Sequence, residues 1–445
     1  MRQIHFLSKI EKGLFPVLVA CLVTPNLQAQ QHDFLSAKES DPIKMGWMQG
    51  FPTPKEKVLS VADGSFFSFP GLRYSVVHMR EFLPTVNVSR GPDKPAPFTY
   101  ELDPKIDALE FLPWGENKTM TWEQSLWKNY TDGILILHKG KIVYERYFGA
   151  LTEKNVHAVM SLTKSFTGTL AAILVAEGRL DPNKLVSFYV PELKKSAFGD
   201  ATVRQVMDMT TALKYSEDYA DPKAELWDFS AAGNPFPKPK GYKGPVGYYA
   251  YLETVKKQGK HGEAFGYKTV NSDALGWIIS KVTGKSVAQL LSENIWSKIG
   301  MEEDAYYQVD ALGVPFAGGG LSAGLRDLGR FGQLILDMGK WHGKQIIPMA
   351  AVADIEKGGS KEAFAKSGHS GLKGWSYRDM WWITENADSA FAARGVHGQT
   401  IYIDPKAEMV LVRLASHPVA ANSANDPYSL PAYQAVANYL MRKEK

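Results

Sequence analysis

The chain has a single cysteine, Cys21, among its 445 residues, so no disulfide can form within it and the fold has to be held by its core. Neither sign of charge dominates. The 51 lysines and arginines against 47 aspartates and glutamates leave a net +4, and the charges are interspersed, which argues against nucleic acid as a partner. The chain lacks a His-Glu-x-x-His zinc motif, a Gly-x-x-x-x-Gly-Lys phosphate loop and any repeat of fixed period. Metal and nucleotide chemistry are therefore not expected, and no cofactor is implied. Beyond the first thirty residues no apolar run is long enough to span a bilayer, so no stable transmembrane segment is expected.

At the N-terminus, Arg2, Lys9 and Lys12 precede an apolar stretch over residues 13–23, the pattern of an export signal. Cleavage after Leu27-Gln28-Ala29 would remove residues 1–29 and release a periplasmic protein. The alternative is Leu18-Val19-Ala20-Cys21, which resembles a lipoprotein signal that would anchor the chain through a lipidated Cys21. With 44% hydrophobic residues, the remaining chain can build two domains or one large composite one.

Residues 30–130 are rich in proline, glycine and isolated aromatics, as in Phe51-Pro52-Thr53-Pro54, and read as a segment wrapped over the body of the molecule. Residues 133–148 read as a β-hairpin about a Lys139-Gly140 turn, and residues 400–404 and 409–414 as a second hairpin, followed by a helix over 432–441. Between them lie helical signals over 203–209 behind a Thr202 cap, 274–282, 287–299 and 325–338. Strands at both ends with helices between imply an α+β fold: an antiparallel sheet built from residues 131–155 and 371–445, flanked by helices, with a largely helical domain over 156–370. The junction of the two is the expected place for a small-molecule site.

Ser161-Leu162-Thr163-Lys164 stands at that junction, opening the apolar run Phe166, Leu170, Ala171, Ile173, Leu174. A serine and a lysine three apart share one helical face. A lysine beginning a buried helix has its ammonium desolvated and titrates nearer neutrality, so it can activate a hydroxyl for acyl transfer. The spacing alone is weak, since Ser125-Leu126-Trp127-Lys128 and Ser370-Gly371-Leu372-Lys373 share it, but neither opens a buried helix. The plainer alternative is that Ser161 caps the helix and Lys164 reaches solvent. Farther along, Gly266-Tyr267-Lys268-Thr269-Val270-Asn271 places a tyrosine on a loop immediately before a helix.

Ser161, Lys164 and Tyr267 together resemble the serine β-lactamase and penicillin-binding-protein superfamily, over about residues 130–415. Within it the chain is most similar to 6-aminohexanoate-dimer hydrolases and related esterases, through Asp208-Met209-Thr210-Thr211, Ser216-Glu217-Asp218-Tyr219-Ala220-Asp221-Pro222 and Gly318-Gly319-Gly320-Leu321-Ser322. The resemblance implies a serine hydrolase cleaving small amides or esters through an acyl-serine. In it Ser161 is the nucleophile, Tyr267 the general base and later the acid toward the leaving group, and Lys164 the group that keeps the others reactive. Ala393-Arg394-Gly395-Val396-His397-Gly398-Gln399 offers two registers for the strand motif that supplies the second oxyanion donor beside Ser161: the N–H of Val396, or that of Gln399. The first is preferred. Tyr219, His397 and Asp228 are carried over as substrate-binding residues, Asp228 as a partner for a substrate ammonium.

One departure bears on substrate. β-Lactamases of the tyrosine class have asparagine two positions after the tyrosine, whereas this chain has Thr269. That argues against the competing reading as a β-lactamase or D-alanyl peptidase. The intact Ser161, Lys164 and Tyr267 argue against a catalytically silent binding protein. Gly320-Leu321-Ser322-Ala323-Gly324 fits the nucleophile elbow of another hydrolase fold, but no buried parallel strand precedes it, and it reads as a tight loop leading into the next helix.

Overall fold

A computed structural model describes residues 34–219 and 221–443. The expected export signal and Cys21 lie outside the described residues. The framework is an eight-stranded sheet. Its strands run in the order Ser376–Arg378, Trp381–Ile383, Phe391–Gly395, Gln399–Asp404, Met409–Ala415, Thr131–His138, Lys141–Tyr147 and Thr99–Tyr100. The two ends of the chain meet at its centre, where Leu411 lies opposite Ile136 in an antiparallel pair. Both expected hairpins are present. The first turns at Lys139 and Gly140, whose φ values of 51° and 76° are those of a two-residue turn matched to strand twist.

Every residue of Met409–Ala415 is buried, because helices cover both sheet faces. On one face lies Leu325–Leu336, packed on the two central strands and Gln399–Asp404. Leu440 and Val436 of the terminal helix Asp426–Lys443 close the other face over Ile134, Ile136 and Leu411, with Trp122 of the helix Trp122–Lys128 beside them. That terminal helix is longer than expected and runs through Pro431.

The helical region centres on Thr163–Ala176, packed against Val270–Thr283 and Met349–Glu356. The Thr202 cap is a full capping box, Thr202 Oγ1 accepting from Gln205 N at 3.2 Å and Gln205 Oε1 from Thr202 N at 2.9 Å. Its helix stops at Met207. The helix expected over 287–299 breaks after Leu291 into a wider turn, Ser292–Trp296.

Three expectations about residues 156–370 need correction. Residues 156–370 are not helical throughout, since Val156–Ala158, Ala305–Gln308 and Leu321–Gly324 join Thr85–Val88 in a four-stranded antiparallel sheet. Ser322 lies within one of these strands, opposite Tyr306 and Ala158, and not on a loop. The helix Leu325–Leu336, placed by sequence with the helical domain, covers the large sheet instead. Its apolar face reads the same whichever partner covers it.

The N-terminal segment does wrap the body. Buried Arg73 ties it down, Nη2 standing 3.1 Å from Asp132 Oδ1 while Nε donates to Ser416 Oγ at 3.1 Å. The segment also contributes Thr85–Val88 to the small sheet and Thr99–Tyr100, in parallel, to the edge of the large one.

Candidate active site

Ser161 sits in the 3₁₀ turn Met160–Leu162, immediately before the helix Thr163–Ala176. The turn is reached through Met160 at φ 51°, a left-handed conformation that costs a non-glycine residue energy and that lifts the serine out of the helix toward the cavity. Lys164, one step into the helix, is 1% exposed. Its Nζ donates to Ser161 Oγ at 2.9 Å and to the Gly318 carbonyl at 2.6 Å. The Gly318-Gly319-Gly320 stretch noted in the sequence therefore acts through its backbone, as a carbonyl that anchors the lysine.

Tyr267 precedes Val270–Thr283, with its hydroxyl in hydrogen-bonding reach of Ser161 and its ring centroid 5.1 Å from Lys164 Nζ. Trp382 packs at 5.3 Å and Tyr377 at 6.2 Å, which fixes the ring. Ser161, Lys164 and Tyr267 are thus brought together from a turn, a helix and a loop.

Burial lowers the Lys164 ammonium to a pKa of about 8, with the carboxylates of Glu217 and Asp273 pulling the other way. Burial, reinforced by Glu217, holds the Tyr267 phenol well above its ordinary value. Burial thus brings the Lys164 amine within reach of neutral pH while Tyr267 stays protonated, fields that suit Lys164 as proton acceptor and Tyr267 as donor, in place of the expectation that Tyr267 is the base.

The strand Phe391–Gly395 crosses directly over the turn that carries Ser161. A Cβ at Gly395 would lie 2.5 Å from Val159 O and 3.0 Å from Leu162 N, so only glycine lets the two backbones approach. Val396, the next residue, lines the cavity with Ser161. Gln399 does not. Its buried side chain is spent on the backbone, Nε2 donating to Ala415 O at 2.5 Å and Oε1 accepting from Ala415 N at 3.1 Å.

The cavity at Ser161 holds about 250 Å³. One wall comes from the N-terminal segment, through Val61, Phe66, Phe67, Met79 and Leu83. The facing wall is Trp227 and Phe229 of the helix Glu225–Gly233, with Phe236, Tyr248 and Phe316. Tyr219 lines the mouth, 37% exposed, its ring edge-on to Trp227 at 6.3 Å.

His397 lines the cavity but is engaged in holding the loop. Its Nδ1 is 2.7 Å from the His417 carbonyl, its own N–H donates to Ala420 O, and burial lowers its pKa to about 4, leaving the ring neutral. Its φ of 62° turns the chain away after Val396.

Asp228 is not in the site. It lies exposed on the helix whose other face supplies Trp227 and Phe229.

Two groups escaped the sequence reading. Glu217 lines the cavity, with Oε1 accepting the Thr269 N–H at 2.5 Å, and burial raises its pKa against the pull of Lys164. Asp273 accepts the Ala317 N–H at 3.0 Å and so braces the backbone next to Gly318. Glu217 lay inside a quoted motif, but a carboxylate in an irregular loop carries no periodic signal of burial. Asp273, four residues after Thr269 on a helix that begins buried, offered the one usable cue. Among the described residues no cluster of His, Cys, Asp and Glu could hold a metal ion.

Residues 122–432 match the beta-lactamase family model. The chain belongs to the beta-lactamase family. It is 35% identical over 351 residues to the 6-aminohexanoate-dimer hydrolase of Paenarthrobacter ureafaciens, an alignment covering 78% of this chain and 86% of that one. A solved structure from Bacillus anthracis, provisionally assigned as a 6-aminohexanoate-dimer hydrolase, superposes with a TM-score of 0.79 at 36% identity, covering 88% of this chain and 99% of that one. A penicillin-binding-protein homologue from Caulobacter crescentus shares the fold at a TM-score of 0.53 and 17% identity, over 70% of this chain and 96% of that one. The expected α+β architecture is that of these beta-lactamase-family structures.

Proposed function

We propose that this family hydrolase cleaves small linear amides or esters through an acyl-enzyme on Ser161, with Lys164 and Tyr267 moving the protons. The observation that carries the reading is the desolvated Lys164 amine 2.9 Å from Ser161 Oγ at the floor of a cavity. In acylation the neutral Lys164 amine takes the Ser161 proton as Oγ attacks the carbonyl carbon. The carbonyl oxygen, now anionic, is met by the N–H groups of Ser161 and Val396, a pair whose members each contribute about 3–4 kcal/mol to such barriers. Tyr267 gives its proton to the departing amine or alkoxide and is reprotonated by the Lys164 ammonium, so the site ends acylated and otherwise unchanged. Water then attacks the acyl carbon, giving a proton to the same pair, which returns it to Ser161 Oγ as the acyl carbon–Oγ bond breaks and the acid departs.

Thr269 supports linear substrates over β-lactams. Its N–H is given to Glu217 and its methyl faces Gly318, 2.5 Å from where a Cβ there would be, so it presents no amide to a substrate side chain. The relatives named for the 6-aminohexanoate dimer, a substrate without a β-lactam ring, point the same way.

A fluorophosphonate tests the reading. It should label Ser161, as found by peptide mapping, and Ser161→Ala should abolish labelling while leaving the melting temperature unchanged. Label on Ser322, buried in its strand, would refute it. A panel of nitrophenyl esters, linear amides and nitrocefin reads the substrate class, and a higher kcat/KM for nitrocefin than for nitrophenyl butyrate would overturn the preference for linear substrates.

A further inference from the structure

The wall of the cavity is apolar far beyond the reacting atoms. From the N-terminal segment come aliphatic and phenyl groups, and from the opposite side a block of rings. The polar groups among the described lining residues are neutral ones such as Ser230, Asn234 and Gln308, with a single carboxylate, Glu217. Glu217 sits beside Ser161 and is already occupied by the Thr269 N–H and the field of Lys164. Asp228, the acid that could have met a substrate ammonium, faces solvent on the far side of its helix.

Aromatic faces can themselves attract a cation. Here they largely cover one another, Tyr248 stacking on Phe316 at 5.1 Å while Phe229 packs against Tyr248 at 5.2 Å and Tyr251 at 5.3 Å. An ammonium carried to the apolar end of this space would lose its water, with Glu217, at the Ser161 end, as the single carboxylate among the lining residues. The volume, about 250 Å³, is below the roughly 300–1,000 Å³ of sites for drug-sized ligands and suits one short chain or one ring.

We infer that the acyl group taken by Ser161 is uncharged and apolar, a short alkyl or aryl chain lying between the N-terminal segment and the aromatic block, and not an ω-ammonium acyl chain. The inference rests on the acyl-transfer reading and narrows it. Because hydrophobic burial grows with each methylene, kcat/KM should climb with acyl length until the cavity is filled.

The test compares nitrophenyl acetate, butyrate, hexanoate and heptanoate with nitrophenyl 6-aminohexanoate, which matches the heptanoate in length and differs by its terminal charge. At pH 7 the heptanoate should exceed the aminohexanoate at least tenfold in kcat/KM. Ser230→Asp, which places a carboxylate on the cavity wall, should narrow that ratio at least threefold. A ratio near one, or one favouring the ammonium substrate, would overturn the inference while leaving the hydrolase reading intact. No dependence on acyl length would also overturn it. Failure to turn over any member would overturn both.

Discussion

Arg73 and Asp132 form a buried ion pair at 3.1 Å, with both side chains almost wholly excluded from water. The pair joins the wrapping segment to the strand Thr131–His138 of the large sheet, and Arg73 Nη1 carries the link back to Ser40 at 3.0 Å. A charge left unpartnered in such a place is strongly destabilising. Arg73→Met should lower stability by roughly 3–5 kcal/mol in denaturant titration. Because Phe66 and Met79 flank it in the chain and line the cavity, the KM for long acyl esters should rise more than that for the acetate.

Lys164 sets the pH dependence. An amine that must be neutral to accept the serine proton gives a rate that is low below its pKa and levels above it, so kcat/KM should rise with an apparent pKa of about 8. Glu217 raises that value by its charge. Glu217→Gln should therefore move the rising limb to lower pH, whereas a purely structural role would change the height of the profile and not its position.

Tyr267→Phe keeps the ring between Trp382 and Tyr377 and removes only the hydroxyl. If the phenol delivers the proton to the leaving group, kcat should fall by about 10²-fold or more with little change in melting temperature. The loss should be larger for an anilide than for a nitrophenyl ester, whose leaving group needs no proton.

Gly395→Ala drives a methyl into the backbone on either side of Ser161. The strand has to retreat, taking the Val396 N–H with it. A drop in kcat of about 10²–10³-fold is expected, the range for losing one oxyanion donor. Fluorophosphonate labelling, measured as a rate, should slow in parallel.

The chemistry was more legible in the sequence than the specificity. Ser161 and Lys164 announce themselves because a three-residue spacing keeps them adjacent even across the turn that precedes the helix, and the following apolar run fixes the burial of Lys164. The two hairpins were readable for the same reason, since alternation and turn residues are local signals. Asp228 shows where such reading stops. Its helix carries Leu226, Trp227 and Phe229 inward, and which side of one turn faces a cavity depends on what packs against it. The electrostatics of Lys164 and Tyr267 were equally hidden, because burial dominates both and the opposing charge on Lys164 comes from Glu217 and Asp273, brought close by tertiary folding from loop and helix. The proline-rich start of the chain could be seen to wrap, but not to supply one wall of the cavity.

That last feature separates two things an enzyme normally encodes together. The family match spans residues 122–432, while Val61, Phe66, Phe67, Met79 and Leu83 all lie upstream of it. Ser161, Lys164, Tyr267 and Val396 lie within the matched span, as do Trp227 and Phe229 of the facing wall, whereas one wall of the cavity comes from outside it. Substitutions at the five upstream positions should therefore change which acyl chain is preferred while leaving the labelling of Ser161 by a small fluorophosphonate unchanged.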